Sequence, residues 1–458
     1  ERGMTMTFTT QAQAETALDS FDPIARSQAL EWLAANVPAP KAGSARINMH
    51  IHSFFSYNSK GWSPSHAAWN SFKDGYLAAG LCDFDVLDGM SEFLAAATRL
   101  GLRATVNLET RAYIAEYAHA DINSPGEPGV SYFMGAGFAK TSVPGSAQPP
   151  NLGLYRQLAA ERNRALVFRV NARLPEIAID YDHDVMPLSP GGCPTERHIV
   201  QSYRTQAAKA FGTTTALCEF WAHIMGKTTL ELSRILADIP VLEENIRSKL
   251  VKRGGLGYEP PTPQTFPPVE NFIAWVRSFD AIPMFAWLDG TSKGEENIVA
   301  LLECVRAKGA ASINIIPDRN HNIKDPAVRT LKIGKLNETI QAAQALDFPV
   351  NIGTEMNKDG QPLADDLEAG ALKPHCHIFM TGARILVGHT TLLRFADYSY
   401  LGLKAQAEFG NNIPKKNRFF ENVGALPPVT DRIAGQLTQA GPEKALGLIV
   451  EATARNAW

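Results

Sequence analysis

The sequence predicts an α/β fold, a distorted (β/α)7 TIM-like barrel with an N-terminal helical extension and a helical insertion. Short apolar runs alternate with stretches of helical periodicity, first over residues 45–108 and again over residues 282–387. Between these blocks, helical spacing continues through residues 150–253. The 458 residues are enough for one large barrel with insertions. We therefore predict an extension over residues 1–43 and a barrel over residues 44–458, with the insertion at about 150–253.

The borders of the barrel elements follow from composition and spacing. The extension has apolar residues at helical spacing and ends in a stretch containing Pro and Gly at residues 38–43. Residues 121–150 are rich in Gly, Pro and Ser, and we predict that they form a long loop packed over the barrel. The seven predicted strands cover residues 45–51, 81–86, 104–108, 282–288, 312–316, 349–352 and 384–387.

Composition and charge limit the classes of partner. The chain has 44 Lys and Arg and 47 Asp and Glu, so its net charge is −3 and it lacks the basic field that holds a nucleic acid backbone. No run of about 18 apolar residues is present to span a bilayer. The five cysteines are scattered and form no CxxC pair, which favours a cytoplasmic location. We expect a small anionic substrate, with neither nucleic acid nor a membrane as partner, and a homo-oligomer is compatible with the sequence.

Side chains that can bind a metal follow three successive predicted strands. The first strand ends in His50-Ile51-His52, and this spacing places both imidazoles on one side of an extended chain. The second ends in Cys82-Asp83-Phe84-Asp85, which places two carboxylates on one side, and the third ends at Glu109. The carboxyl ends of parallel barrel strands form the face on which active sites are assembled. We therefore expect these imidazoles and carboxylates to meet at one mouth of the barrel.

The stretch from Asn48 to Arg111 resembles the PHP (polymerase and histidinol phosphatase) superfamily. Members of that superfamily open with an HxH strand and continue with a Thr-Asp-His strand and a strand that ends in Glu. The corresponding residues here are His50-Ile51-His52, Cys82-Asp83-Phe84 and Val106-Asn107-Leu108-Glu109. The resemblance implies a distorted seven-stranded barrel of PHP type that holds one to three divalent metal ions, usually for phosphoester hydrolysis. It also implies that His50, His52 and Glu109 are metal ligands.

Two positions depart from the pattern of the superfamily. Phe84 stands where the second motif has its histidine, and Asn357 stands where the closing Gly-Ser-Asp-x-His motif has its histidine. Phenylalanine cannot bind a metal, so either Asp83 or Asp85 supplies an oxygen ligand or the site holds fewer metals. Oxygen-rich ligation would favour manganese or iron over zinc. We predict a divalent metal site for Mn, Fe or Zn with His50, His52, Asp83, Glu109 and Glu355 as its ligands.

Two further histidines are candidates for the group that protonates the leaving group. Thr195-Glu196-Arg197-His198 begins a predicted helix, and the first turn of a helix favours an anion. His389 follows the predicted strand at residues 384–387. His183 lies in an acidic segment, which is more typical of a solvated loop. The alternative for His198 is an ordinary histidine on a helix surface.

Three polar segments are candidates for substrate binding. Arg319 and Asn320 follow the predicted strand at residues 312–316, and the planar guanidinium of Arg319 suits bidentate binding of a carboxylate or phosphate. Asp289 follows the strand at residues 282–288. Arg197 would assist Arg319 in holding an anionic group. The alternative for Arg319 is a salt bridge within its loop.

The sequence thus predicts a metal-dependent hydrolase, a phosphoesterase that acts on a small anionic metabolite through a metal-activated water. In this interpretation His198 or His389 protonates the leaving group and Arg319 holds the anionic group. Two alternatives stay open. A metal-dependent lyase or isomerase acting on a sugar acid would suit a reduced metal site, and a non-catalytic barrel of the same type would bind a ligand without converting it.

Overall fold

Seven strands that follow one another in chain order form a single curved sheet. The computed structural model describes residues 7–40, 46–140 and 152–458. Ile51 pairs with Glu355, and the backbone nitrogen of His52 donates to the carbonyl oxygen of Glu355 at 3.0 Å, so the sheet is nearly closed into a barrel. The predicted α/β barrel is confirmed. The strands are β1 Ile47–Ile51, β2 Ala78–Phe84, β3 Ala104–Tyr113, β4 Val130–Ala136, β5 Ile282–Trp287, β6 Ser312–Ile315 and β7 Val350–Ile352.

Helices precede, follow and separate these strands. The predicted extension contains two of them, and the second begins after Asp22, which accepts from the backbone nitrogen of Ile24. Residues 1–6 and 41–43 of that prediction lie outside the described residues. No helix in the described part of the chain is both long and apolar enough to cross a membrane. The helices are α1 Gln11–Ala17, α2 Pro23–Asn36, α3 Pro64–Lys73, α4 Met90–Leu100, α5 Leu152–Arg173, α6 Glu196–Phe211, α7 Thr214–Met225, α8 Thr229–Leu236, α9 Ile239–Leu250, α10 Val269–Ser278, α11 Ile298–Lys308, α12 Asp318–His321, α13 Pro326–Ala345, α14 Cys376–Ala396, α15 Leu403–Phe409, α16 Ile413–Ala425, α17 Asp431–Ala440 and α18 Pro442–Arg455.

The fourth strand differs from the prediction. β4 lies within residues 121–150, which the sequence analysis assigns to a loop, and it runs antiparallel to both β3 and β5. β3 continues beyond its predicted end at residue 108, and its second half pairs with β4. Five of the seven residues of β4 are apolar, but the strand is short and bordered on both sides by residues rich in Gly, Pro and Ser, which are typical of a loop. The loop prediction is wrong over β4, and residues 141–150 of it are not described.

Residues 384–387, predicted as a strand, lie within helix α14. Most residues of α14 are buried, because the helix packs across β7 and the first three strands. The Thr390 hydroxyl lies 2.8 Å from that of Thr105 at the start of β3. A helix buried on all sides shows the same continuous apolar run as a buried strand, so periodicity alone does not separate the two. Helix α14 therefore closes the barrel at the amino ends of its strands.

The predicted insertion is present as helices α5–α9 between β4 and β5. Its buried side chains, among them Tyr203, Trp221 and Ile246, form a hydrophobic cluster separate from that of the barrel. Residues of α5 and α6 line a cavity together with residues of β3. The insertion therefore covers the carboxyl ends of the strands, opposite to α14.

The close contact between α14 and β7 can be tested at Gly382. A Cβ atom at this position would stand 2.0 Å from the carbonyl oxygen of Val350. We expect Gly382→Ala to lower the free energy of unfolding by about 1–3 kcal/mol or more, because overpacking forces backbone shifts. In the control Gly447→Ala, nothing lies within 4 Å of the added Cβ. We expect this substitution to raise the free energy of unfolding by about 0.5–1 kcal/mol. Equal unfolding free energies of the two variants in urea titrations would contradict this packing.

Candidate metal centre

Three residues from two strands converge at the carboxyl end of the barrel. His50 and His52 come from the end of β1, and Glu109 comes from β3. One ligand atom of each lies within 4.8 Å of the other two. The Nε2 atoms of both histidines are 3.7 Å from Oε2 of Glu109. All three side chains are buried, so the strand ends bring this group together away from bulk solvent.

The two Nε2 atoms lack the partners that buried polar atoms normally have. Neither atom forms a hydrogen bond with any of the described residues, and 3.7 Å is too long for a hydrogen bond to Glu109. Leaving a buried polar atom without a partner costs about 1–3 kcal/mol. Two imidazole nitrogens and a carboxylate oxygen around one point are ligands that divalent transition metals prefer. The residues present therefore fit a divalent cation.

Ser56 and Asp83 determine which nitrogen of His52 faces Glu109. The hydroxyl of Ser56 donates its only hydrogen to Oδ1 of Asp83 at 2.7 Å, so it can only accept from Nδ1 of His52 at 3.1 Å. His52 therefore carries its hydrogen on Nδ1 and presents the lone pair of Nε2 to Glu109. Burial, together with the nearby His50, lowers the pKa of His52 to about 3, so the ring is neutral. Hydrogen bonds of this kind orient metal-binding histidines.

His50 is held between Glu109 and Asn314 of β6. Its Nδ1 lies 3.2 Å from Nδ2 of Asn314, and Oδ1 of the same amide is buried without a partner. A half-turn of this amide would let Oδ1 accept from Nδ1 and would leave the lone pair of Nε2 free. Burial lowers the pKa of His50, but the interactions with Glu109 and the charge of Glu355 together outweigh it, and the net shift is upward. A positive charge is thus favoured between His50 and Glu109.

Asp83 does not join this group of three. Its carboxylate accepts from the backbone nitrogen of Ser53 at 2.6 Å, from the Ser53 hydroxyl at 2.6 Å and from Ser56. Burial raises the pKa of Asp83 to about 6, although these hydrogen bonds favour the ionised form. The prediction of Asp83 as a metal ligand does not fit this position, because its oxygens are engaged by the turn after β1. Asp83 instead acts on His52 through Ser56.

Glu355 and Arg319 form an ion pair beside the three residues. Nη2 of Arg319 lies 2.7 Å from Oε2 of Glu355. Burial raises the pKa of Glu355, but Arg319, followed by His50, outweighs it and lowers the pKa to about 2. In the described part of the chain, the group with mutually close ligand atoms consists of His50, His52 and Glu109, and Glu355 is not part of it. The predicted ligand and the predicted anion-binding arginine therefore neutralise each other.

The two histidines predicted as proton donors have structural contacts instead. Nδ1 of His198 accepts from the backbone nitrogen of Thr195, which completes the cap of α6. His389 lies in α14, where Nδ1 accepts from the backbone nitrogen of Tyr400 and Nε2 lies 3.2 Å from the carbonyl oxygen of Gly137. Burial lowers the pKa of both histidines to about 4. The prediction that His389 ends a strand at the barrel mouth is wrong, because α14 lies at the opposite end.

The remaining predicted substrate-binding residues are also engaged. Asn320 donates to two backbone carbonyl groups at 3.1 and 3.0 Å. Asp289 accepts from Nζ of Lys332 at 2.8 Å. Arg197 pairs with Glu244, although it does line the cavity above the barrel. His183 is exposed and pairs with Asp180, as expected for a solvated histidine, but its segment is a π-helical turn over Tyr181–Val185 and not a loop.

A cavity of about 930 Å³ lies between the strand ends and the insertion. His52 and Glu109 line it from the barrel, and Phe84 and Asp85 line it from the end of β2. The ring of Phe84 packs edge-on against Tyr132, with 6.1 Å between the ring centroids. This volume falls within the range of small-molecule sites. Phe84 thus forms part of an apolar wall where the superfamily has a metal-binding histidine.

The sequence analysis missed several residues of the cavity. Arg162 of α5 and Phe266 line it from the insertion and the segment that follows. Nothing in the sequence singles them out, because helical spacing does not show which face of α5 meets the barrel mouth. Arg111, two residues after Glu109 on β3, also lines the cavity. Its position on the same side of the strand as Glu109 is the one signal that the sequence offers.

The matches of this chain to known proteins are solved structures. No protein-family model matches the chain, and no curated protein matches it. One similar solved structure is an amidohydrolase from Chromobacterium violaceum with bound sulfate and no metal, with 16% identity, a TM-score of 0.49 and coverage of 71% of this chain and 92% of that chain. Another, from Bifidobacterium adolescentis, is assigned as a metal-dependent phosphoesterase, with 17% identity, a TM-score of 0.45 and coverage of 75% and 98%.

The pairing of Arg319 with Glu355 predicts a measurable coupling energy. We expect a double-mutant cycle with Arg319→Gln and Glu355→Gln to give about 0.5–3 kcal/mol at pH 7 in urea titrations. The coupling should be undiminished at pH 5, because the lowered pKa of Glu355 keeps it ionised there and only acidification toward pH 2 removes the charge. Additive effects of the two substitutions would contradict the ion pair. Lys60 and Asp359 form an exposed control pair, for which we expect less than about 1 kcal/mol.

Proposed function

We propose that this chain is a metal-dependent hydrolase that cleaves an ester, with phosphoesters as the first class to test, in a small anionic molecule. One observation carries the proposal. Two buried imidazole nitrogens without partners face a carboxylate at the mouth of an α/β barrel, at the edge of a cavity large enough for a metabolite. Active sites of such barrels are built at this end of the strands.

His50, His52 and Glu109 would hold the cation. When bound, a divalent cation would lower the pKa of a water molecule and polarise the bond under attack. Three protein ligands are typical of catalytic zinc sites, whereas structural sites have four. We therefore propose one cation with an open position toward the cavity, and manganese, iron and zinc all suit two nitrogens and one oxygen.

Asp85 is our candidate for the proton donor to the leaving group. It lines the cavity beside Glu109, and its backbone nitrogen donates to the carbonyl oxygen of Glu109 at 2.9 Å. Burial raises the pKa of Asp85, although the Thr110 hydroxyl, which donates to Oδ1 at 2.5 Å, favours the ionised form. A buried carboxyl with a raised pKa can hold a proton and release it to a departing oxygen.

Metal content tests the proposal directly. Protein purified without chelator should bind Mn²⁺, Fe²⁺ or Zn²⁺ at a stoichiometry near one, measured by elemental analysis after dialysis. Glu109→Gln and His52→Ala should each retain less than about a tenth of that metal, because each removes one of three ligands. His183→Ala is the control, since this histidine is exposed and distant in the chain from the site. Unchanged metal content in Glu109→Gln would refute the site.

Turnover of phosphomonoesters, phosphodiesters and carboxylic esters then defines the reaction. Hydrolysis that requires added metal and disappears in Glu109→Gln supports the hydrolase. Bound metal without turnover of any ester would contradict it. The absence of a histidine at Phe84, which leaves a reduced metal site, would then favour a lyase or isomerase acting on a sugar acid.

Asp85→Asn separates proton transfer from metal binding. We expect kcat to fall by about 10²–10⁴-fold, since general acid catalysis contributes that much, while metal content stays unchanged. Substrates with an acidic leaving group such as nitrophenol should be much less affected, because they need no protonation. An equal loss of kcat for acidic and basic leaving groups would rule out this role. Asp88→Asn, an exposed aspartate in the turn between β2 and α4, is the matched control.

A further inference from the structure

The basic side chains of the cavity differ in whether a carboxylate balances their charge. Most of those that line it lie within 4 Å of a carboxylate oxygen in the described part of the chain. The paired ones include Arg169 with Glu259, Arg197 with Glu244 and Arg319 with Glu355. Two have no such partner among the described residues, namely the exposed Arg253 and the half-buried Arg162. Among the residues that are not described, Glu1 is the one with a carboxylate side chain.

Arg162 reaches the cavity from α5 with part of its guanidinium free. Its Nη1 donates to the carbonyl oxygen of Thr265, and its guanidinium carbon lies 4.3 Å from the centroid of the Phe266 ring. Nε and Nη2 donate to none of the described residues. These two N–H groups form the planar edge that binds a carboxylate or phosphate through two parallel hydrogen bonds. The ring and the carbonyl group thus fix the guanidinium and leave this edge available.

A second guanidinium packs on the same ring. The guanidinium carbon of Arg111 lies 4.8 Å from the centroid of Phe266. Its Nη1 donates to both oxygens of Glu127, at 3.0 and 2.9 Å, whereas its Nε is buried without a partner. Glu127 therefore balances one of the two positive charges. Burial and then the like charge of Arg111 lower the pKa of Arg162 to about 10, although the nearby carboxylates of Asp85 and Glu127 favour its charged form.

We propose that Arg162 and Arg111, stacked on Phe266, bind a carboxylate or phosphate group of the substrate that is separate from the bond hydrolysed. This inference rests on the proposed function for the reacting end of the substrate. Arg111 follows Glu109 by two residues on the same side of β3, which sets the two side chains roughly 7 Å apart along the strand. The substrate class is therefore an ester of a small molecule that carries a second anionic group a short carbon chain away.

Calorimetric titration tests this subsite without relying on turnover. The probes are sulfate, which resembles phosphate, and glutarate, which carries carboxylates, both at constant ionic strength. We expect Arg162→Gln to raise the Kd of the bound probe at least tenfold, with Arg162→Lys in between because lysine keeps the charge but loses the planar edge. Arg169→Gln is the matched control on the same helix, since Glu259 already balances Arg169. Its Kd should stay within about twofold of that of the native chain.

Glu109→Gln distinguishes this subsite from the metal centre. Binding of the probe in Glu109→Gln at native strength, together with its loss in Arg162→Gln, supports the subsite even if no metal-dependent turnover is found. A preference for sulfate identifies a phosphate-like group, and a preference for glutarate identifies a carboxylate. Native binding in Arg162→Gln, equal weakening in Arg169→Gln, or no binding of either probe to the native chain would each overturn the proposal. Circular dichroism and melting temperatures confirm that each variant is folded.

Discussion

The arrangement of the barrel mouth depends on two buried imidazole nitrogens that form no hydrogen bond within the described part of the chain. Buried polar atoms almost always have a hydrogen-bond partner in a folded protein, so a buried polar atom without one requires an explanation. Here Nε2 of His50 and of His52 stand 3.7 Å from one carboxylate oxygen of Glu109. The contacts around them preserve this state, since Ser56 and Asp83 direct the hydrogen of His52 away from Glu109. A shared cation accounts for all of these contacts at once.

Strand-end residues were predictable from the sequence, whereas contacts across the chain were not. The two-residue spacing of His50 and His52 fixes their common side on a strand, and parallel strands bring Glu109 to the same mouth. Asp83 also lies at the carboxyl end of a strand. Its oxygens nevertheless accept hydrogen bonds from Ser53 and Ser56, because the turn that follows β1 places these donors beside them. A rule based on strand position predicts which end of the barrel a side chain approaches, but it does not predict its nearest donor.

The fold shows a similar division between local and long-range information. Strands with strong apolar contrast were predicted close to their observed borders. β4 was not predicted because it is a short antiparallel strand that lies within a segment rich in Gly, Pro and Ser. Residues 384–387 were assigned to a strand because α14 is buried on nearly every side. Both errors arise where tertiary packing, which one window of sequence does not contain, decides the conformation.

The insertion gives the barrel mouth a second wall with its own electrostatics. Ion pairs neutralise most charges there, as with Arg197 and Glu244, whereas the guanidinium groups of Arg162 and Arg253 have no carboxylate within 4 Å among the described residues. The sequence predicts Arg319 as the anion-binding residue because it follows a strand, but the carboxylate of Glu355 already balances the charge of Arg319. The two proposals therefore place metal binding at the edge of the cavity formed by the barrel and anion binding at the edge formed by the insertion.

Anomalous X-ray scattering from crystals grown with Mn²⁺ tests the central claim most directly. The account predicts one strong manganese peak within bonding distance of Nε2 of His50, Nε2 of His52 and a carboxylate oxygen of Glu109. A well-ordered crystal without a peak there, or with its strongest peak elsewhere on the chain, would contradict it.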